Sequence, residues 1–120
     1  MGQPSFFAIL LAWCYSPASG SFCGALYHVI SRGNYREMIS HDDSDRKRYL
    51  SLLEEVQNRY SCKLYAYVLM GNHVHLLVES GVAPLSKIMQ NLQFRYTRYY
   101  NLRYRKTGHL FEGRYKAILC

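Results

Sequence analysis

Two strand-like segments joined by a two-residue turn occupy the middle of the 120-residue chain. Lys63 to Met70 is rich in β-branched and aromatic residues, and His73 to Glu79 alternates in the same way. Between them, Gly71-Asn72 is typical of the tight turn of a β-hairpin. The pattern therefore predicts that these two strands pair antiparallel, and it commits this part of the chain to a sheet.

A segment with helical periodicity flanks the hairpin on each side. Asp42 or Asp43 can cap a first helix over residues 44–60, with Asp45 in the first turn facing the helix dipole. Pro84 fits the first position of a second helix. The two predicted apolar stripes are Tyr49, Leu52, Leu53, Val56 and Tyr60, and Leu85, Ile88, Met89, Leu92, Tyr96 and Tyr99.

Two outer strands complete the pattern. The first of them, Leu26 to Ser31, precedes the first helix, and the turn residues Arg32-Gly33-Asn34 end this strand. Leu110 to Leu119 follows the second helix after Gly108. The order β-α-β-β-α-β predicts an α+β protein of the ferredoxin-like type, an antiparallel sheet with two helices on one face.

The chain divides into an apolar extension over residues 1–22 and one domain over residues 23–120. Phe6 to Trp13 is a short apolar run, but no Lys or Arg precedes Arg32, so a secretion signal is the weaker interpretation. No apolar run reaches the roughly 18 residues of a spanning helix. We expect a cytoplasmic protein that does not enter a membrane.

The four cysteines, Cys14, Cys23, Cys62 and Cys120, show no C-x-x-C spacing, which argues against a zinc ribbon or a thioredoxin-like site. Cys62 lies in an apolar segment and is expected to be a buried free thiol. Their even number leaves disulfides open.

Net charge is concentrated at one end of the chain. The formal net charge is +7, and residues 86–120 contain eight basic side chains against Glu112 alone. Such a surplus favours a polyanionic partner, most commonly nucleic acid, although a solvated basic helix face remains the alternative.

His73-Val74-His75 is the sharpest local pattern. Residues two apart on a strand point to the same face, so the two imidazoles would stand side by side, as two ligands of one divalent metal do. A complete site needs a third protein ligand. The alternative is a pair of half-buried histidines bonded to the backbone, to Glu79 or to Asn72.

Three segments, GALYHVISRGNYRE, YAYVLMGNHVHLLVE and GHLFEGRYKAIL, occur in this order and are separated by the two helices. Together they resemble the single-tyrosine HUH transposases, in particular the branch of REP-associated tyrosine transposases. The resemblance covers residues 24–120. Gly71 departs from it, since proline is usual there, and a turn accepts either residue.

The resemblance implies a metal-dependent single-strand DNA endonuclease and strand transferase. His73 and His75 would hold Mg²⁺ or Mn²⁺ at the scissile phosphate. A tyrosine hydroxyl would attack the phosphorus, become joined to the 5′ side and leave a free 3′-OH. The implied partner is single-stranded or hairpin DNA, and a homodimer is expected.

The resemblance also places the nucleophilic tyrosine on a helix after the GRYK strand, where the sequence stops at Cys120. We therefore expect a chain cut short before its nucleophile, with the catalytic residue unknown. Five tyrosines that precede this position are weak candidates: Tyr96, Tyr99, Tyr100, Tyr104 and Tyr115.

Basic side chains near the C-terminus are the predicted DNA contacts. Arg95, Arg98 and Arg105 have helical spacings of three and seven, which predicts a shared outward face. The loop and last strand would extend this patch with Arg103, Lys106, Arg114 and Lys116. Three functions stay open: a nuclease domain that is defective or incomplete in its nucleophile, a DNA hairpin-binding module without catalysis, and a ferredoxin-like domain with no nucleic-acid role.

Overall fold

The computed structural model describes residues 25–119 and consists of a four-stranded antiparallel sheet with two α-helices. A short 3-10 turn at Asn34–Arg36 follows the first strand. The elements are β1 (Leu26–Arg32), α1 (Asp43–Tyr60), β2 (Lys63–Leu69), β3 (His73–Glu79), α2 (Leu85–Tyr104) and β4 (Lys116–Leu119). The strand order β2-β3-β1-β4 and the helix placement confirm the predicted ferredoxin-like α+β fold.

The pairing of β1 with β3 gives the sheet two different faces. Val29 lies opposite Leu76 and is buried with it, whereas the next residue, Ile30, lies opposite His75. Because side chains alternate along a strand, all residues in register with Val29 face the helices and all those in register with Ile30 face away. We call the second surface the open face; its central members are His28, Ile30, Arg32, His73, His75 and Leu77.

The hydrophobic core lies between the helices and the other face of the sheet. Leu52 and Val56 of α1 and Ile88 and Leu92 of α2 are at most 2% exposed. The predicted stripes are confirmed, except that Tyr60 and Tyr99 are half-buried and that Tyr100 is buried.

Asp45 lies in the first turn of α1, as the sequence predicted, and its side chain is fully buried. Asp42 caps the helix by accepting a hydrogen bond from the Asp45 amide at 3.1 Å. The Asp45 carboxylate is covered from α2 by the hydroxyls of Tyr99 and Tyr104, which donate to it at 2.6 Å each. Burial of this residue is therefore a tertiary effect that the local cap pattern does not contain.

The last strand is shorter than predicted. Leu110 and Phe111 are buried, and Phe111 forms an isolated bridge to Gly33. Gly113 has a φ of +33°, outside the range of extended chain, so β4 starts only at Lys116.

The predicted extension over residues 1–22, the start of the domain at residue 23, and Cys14, Cys23 and Cys120 lie outside the described residues. Cys62 is buried and free, as predicted. Neither of the two described helices is both long and apolar enough to cross a membrane.

Candidate metal and nucleic-acid site

His73 and His75 lie at the start of β3 with their side chains on the open face. Their ring centroids are 5.0 Å apart and the rings are nearly perpendicular. Both residues are half-buried, so each keeps part of its surface in contact with solvent. The spacing of two residues on a strand thus brings the imidazoles together as the sequence predicted.

The turn before the histidines is fixed to the end of β1 by backbone hydrogen bonds. The Gly33 amide donates to the Asn72 carbonyl at 2.9 Å, and the Ile39 amide donates to the Gly71 carbonyl at 2.8 Å. A Cβ atom at Gly33 would lie 2.1 Å from the Glu37 carbonyl oxygen, so glycine is required there. The histidines therefore stand on a rigid part of the sheet.

Each histidine has a hydrogen-bond partner at its Nδ1 atom. Nδ1 of His73 lies 2.8 Å from Oδ1 of Asn72, one of the partners considered from sequence. Nδ1 of His75 lies 3.0 Å from Nε2 of His28 on the neighbouring strand, and those two rings stack with centroids 5.2 Å apart. Glu79, another partner considered from sequence, instead accepts a hydrogen bond from Tyr65.

Burial and neighbouring positive charge favour the neutral form of both histidines. Burial lowers the pKa of His73, and the Arg32 guanidinium lowers it further. Burial likewise lowers the pKa of His75, with contributions from His73, His28 and Arg32. Since a metal binds the unprotonated imidazole, both side chains are in the ligating state at neutral pH.

The donor set fits two ligands of an open metal site. With Asn72 accepting at Nδ1, His73 keeps an unshared electron pair at Nε2. Across residues 25–119, no group of three or more His, Cys, Asp or Glu side chains is arranged around a common point for a metal ion. An ion held by His73 and His75 would therefore complete its coordination with other ligands, such as water or substrate oxygens.

A basic groove of about 460 Å³ lies on the open face between β1 and the segment leading into β4, one strand away from the histidines. Arg32 lies opposite His73 in the sheet, and Lys116 lies opposite Ile30, which itself pairs with His75. We call this the open-face groove; it is lined by Ile30, Arg32, Arg36, Glu112, Gly113, Arg114 and Lys116. It brings together two of the predicted DNA contacts, Arg114 and Lys116.

Sequence reasoning missed three residues of this site: His28, Arg32 and Arg36. Arg32 and Arg36 fall in residues 32–85, where seven basic and seven acidic side chains cancel, so net charge gives no reason to select them. His28 belonged to a predicted strand, but only the register of β1 against β3 places it beside His75.

The other predicted DNA contacts lie away from the open face. A second groove of about 520 Å³ on the helical side, here called the helix groove, contains Arg95, Arg98 and Arg103. Arg95 pairs with Glu55 at 2.6 Å. The residues that line the helix groove are Arg48, Phe94, Arg95, Arg98, Tyr99, Leu102 and Arg103.

Arg105 does not continue the outward face of Arg95 and Arg98. The helix ends at Tyr104, and Arg105 follows with a φ of 56° in the left-handed region. It is exposed, as is Lys106. The seven predicted contacts are thus divided between two grooves and the end of α2.

The four tyrosines of α2 are bonded within the protein on the helical side of the sheet. Tyr96 donates to the Ile39 carbonyl at 2.6 Å, and Tyr100 donates to the Met38 carbonyl at 3.1 Å. Burial raises the pKa of each hydroxyl, including those of Tyr99 and Tyr104 beside Asp45. Raised pKa values and internal hydrogen bonds make them poor nucleophiles. Tyr115 packs against the core.

Comparison with known proteins identifies similar sequences and structures. Residues 21–120 match the family model described as "Transposase IS200 like". No curated protein matches the sequence. A candidate transposase from Deinococcus radiodurans R1 superposes with a TM-score of 0.68 at 18% identity, covering 87% of this chain and 85% of that one.

A REP-associated tyrosine transposase, whose structure was determined bound to a REP hairpin, superposes with a TM-score of 0.67 at 11% identity. The match covers 89% of this chain and 62% of that one, so this chain spans less than two thirds of that protein. At these identities the two structures support the fold.

Proposed function

Because this chain belongs to the IS200-like transposase family, we propose that it is a transposase-type DNA-binding domain that acts on single-stranded or hairpin DNA. The hairpin bound to the structurally similar REP-associated transposase supports this class of partner. We place the reacting strand on the open face, where the histidine pair lies.

The observation that carries the proposal is the position of His73 and His75 beside the open-face groove. Arg32 pairs with His73 across the strands, and Arg36, Arg114 and Lys116 line the same groove. Guanidinium groups bind phosphates in bidentate fashion and stack on unpaired bases, which suits a single strand. A phosphate held by Arg32 would thus lie next to the two imidazoles.

His73 and His75 would contribute two nitrogen ligands to a divalent ion. The bound ion would polarise the scissile phosphate and stabilise charge on the leaving oxygen. Imidazole ligands suit Mn²⁺ better than Mg²⁺, which prefers an all-oxygen shell, so Mn²⁺ is the better match to this pair.

A second candidate function is a DNA hairpin-binding module without catalysis. It is favoured by the tyrosines of α2, whose hydroxyls are committed to internal hydrogen bonds away from the open face. The two candidates share the DNA contacts and differ in chemistry. A ferredoxin-like domain with no nucleic-acid role would leave the four cations of the open-face groove without a function.

Titrating the chain with Mn²⁺ and with a fluorescent single-stranded hairpin tests the proposal. Binding of both, with DNA affinity that falls steeply with salt, supports the first candidate, and DNA binding without metal binding supports the second. Failure to bind either ligand contradicts both candidates.

The proposal extends to assembly and location. We propose a homodimer, because β4 is an edge strand of the described sheet and its free edge could pair with a second copy. Light scattering at several protein concentrations would detect the dimer. We also propose that the protein acts in the cytoplasm, where its DNA substrate and divalent metals are available.

A further inference from the structure

We propose that His28 is a positioning residue, which holds His75 in the one tautomer that can bind a metal through Nε2. This inference rests on the proposed metal site. Its evidence is the contact between Nε2 of His28 and Nδ1 of His75 at 3.0 Å and the stacking of the two rings. Register places these side chains together, because Ile30 pairs with His75 and His28 lies two residues before Ile30 in β1, on the same face.

A contact between two imidazole nitrogens requires that one of them donates. If His28 donated from Nε2, the proton of neutral His75 would sit on its own Nε2, and neither nitrogen of His75 would be free to bind a metal. If His75 donates from Nδ1, His28 accepts at Nε2, and the electron pair on Nε2 of His75 is free. Only the second arrangement is compatible with His75 as a ligand.

His73 shows the same arrangement with a different partner. Its Nδ1 faces Oδ1 of Asn72 at 2.8 Å, and because an amide oxygen can only accept, Nδ1 carries the proton. Both histidines thus have an acceptor at Nδ1 and an Nε2 atom that no described hydrogen bond occupies. Metal-binding histidines in proteins commonly donate their other N–H group to such an acceptor, which fixes both ring orientation and tautomer.

His28 is not placed as a third ligand. Its Nε2 atom is directed at His75, and in the described part of the chain no three ligating side chains surround a common point. An Nε2 atom that accepts a hydrogen bond from His75 cannot bind an ion with the same electron pair. The three histidines therefore have two roles: His73 and His75 as ligands, and His28 as the acceptor that orients one of them.

The proton positions are measured directly by ¹⁵N NMR of the histidine rings in the metal-free 120-residue protein, at about pH 8, where imidazoles are neutral. We expect Nδ1–H and unprotonated Nε2 for both His73 and His75. In His28→Leu, His75 should become a mixture of tautomers while His73 keeps its own. An Nε2–H tautomer for His75 in the unsubstituted protein would overturn the proposal.

Metal affinity supplies a second readout. Loss of such a hydrogen-bond partner lowers metal affinity by about 10- to 100-fold, so His28→Leu should weaken Mn²⁺ binding by that factor. His28→Gln retains an acceptor oxygen and should recover most of it, whereas His109→Leu, at an exposed histidine, should change nothing. Amide NMR spectra identify variants that fail to fold.

Three results would contradict a positioning role. These are equal Mn²⁺ affinity in His28→Leu and the unsubstituted protein, no recovery in His28→Gln, and a ring ¹⁵N shift at His28 on addition of Zn²⁺ that shows direct coordination. If the unsubstituted protein binds no Mn²⁺, the metal proposal fails, and the metal-free tautomer measurement still decides whether His28 orients His75.

Discussion

Arg103, in the last turn of α2, reaches the buried carboxylate of Asp45 in the first turn of α1, with Nη1 2.7 Å from Oδ1. The same guanidinium also holds Asp42, the N-cap of α1, at 2.9 Å. One arginine therefore connects the end of the second helix to the start of the first, and the hydroxyls of Tyr99 and Tyr104 and the His41 amide also donate to Asp45.

Asp45→Asn should destabilise the protein by about 2 kcal/mol at pH 7, because it removes a fully buried carboxylate that accepts hydrogen bonds from two tyrosines and from Arg103, itself 36% exposed. The amide also brings an N–H group among donors that it cannot pair with. Asp43→Asn is the matched control: the Asp43 side chain is 83% exposed and pairs with Arg46 at the surface, so we expect a change below about 0.5 kcal/mol. Urea unfolding followed by circular dichroism measures both. Equal stability of the two variants would contradict this role of Asp45.

The pH dependence of stability should reveal the same carboxylate. Burial opposes ionisation of Asp45, but hydrogen bonds from Tyr104, Tyr99, the His41 amide and Arg103 outweigh it and lower its pKa below 3.8. The unfolded chain therefore takes up this proton at higher pH than the folded protein does. The contribution of the Asp45 carboxylate to the free energy of unfolding is fully present above about pH 4, and it is lost as pH falls through the pKa of Asp45 in the folded protein.

Unfolding free energies measured from pH 7 to pH 2 should fall less steeply below about pH 4 in Asp45→Asn than in the unsubstituted protein. Parallel curves for the two proteins would show that Asp45 has an ordinary pKa.

His75→Ala and His73→Ala should each abolish measurable Mn²⁺ binding, because a single imidazole does not hold this ion at micromolar concentration. His109→Ala should bind as the unsubstituted protein does, since His109 is exposed on the loop after α2. Electron paramagnetic resonance of free Mn²⁺ gives the bound fraction directly. Unchanged binding in His75→Ala would place the metal elsewhere.

A short single strand and a long hairpin should depend on different basic residues for binding. On a single strand of about eight nucleotides, Arg114→Gln with Lys116→Gln should reduce the slope of log affinity against log salt by about 1.4, or about 0.7 per phosphate contact. Arg95→Gln with Arg98→Gln should leave this strand unaffected, because those residues line the helix groove. On a long hairpin that extends around the molecule, the second pair should reduce the slope by about one to two units.

Lys47→Gln with Lys63→Gln removes the same charge from exposed positions that line neither groove. If this control pair lowers the slope as much as the groove pairs do, binding depends on net charge alone. A slope that no pair changes would leave both grooves without a role in DNA binding.

The 120-residue chain should form no covalent adduct with DNA through Tyr96, Tyr99, Tyr100, Tyr104 or Tyr115. An attacking hydroxyl must approach phosphorus to about 3 Å, and these side chains lie toward the helical side of the sheet. Incubation with Mn²⁺ and labelled hairpin DNA, followed by a denaturing gel, tests this, and a native gel of the same sample confirms DNA binding. A covalent band that one Tyr→Phe substitution removes would identify a nucleophile among these five.

The secondary structure was largely predictable because each element has its own hydrophobic periodicity and is bounded by capping or turn residues. Alternation in His73 to Glu79 and the apolar stripe of α2 describe strand and helix independently of the rest of the fold. The two histidines of β3 share a face for the same local reason. Gly113 shortened the last strand, since a positive φ there interrupts a segment whose composition suits extended chain.

The remaining parts of the site depend on contacts between distant segments. Alternation shows that His28 and Ile30 share a face, but only strand register shows that this is the face of His75. Helical spacing predicts a place for Arg105 on the face of Arg95 and Arg98 only if the helix continues, whereas α2 ends one residue earlier. Asp45 is buried by tyrosines that follow it by more than 50 positions.

Because the core lies on one side of the sheet, residues on the open face can be substituted with little effect on folding. Substitutions at Ile30, Arg32 or Lys116 alter the surface offered to a ligand while removing little of the buried apolar area that stabilises the fold. If the open face binds DNA as proposed, its sequence preference can therefore change through mutations that selection for folding scarcely opposes. The same separation would allow laboratory selection of new binding specificities on an unchanged core.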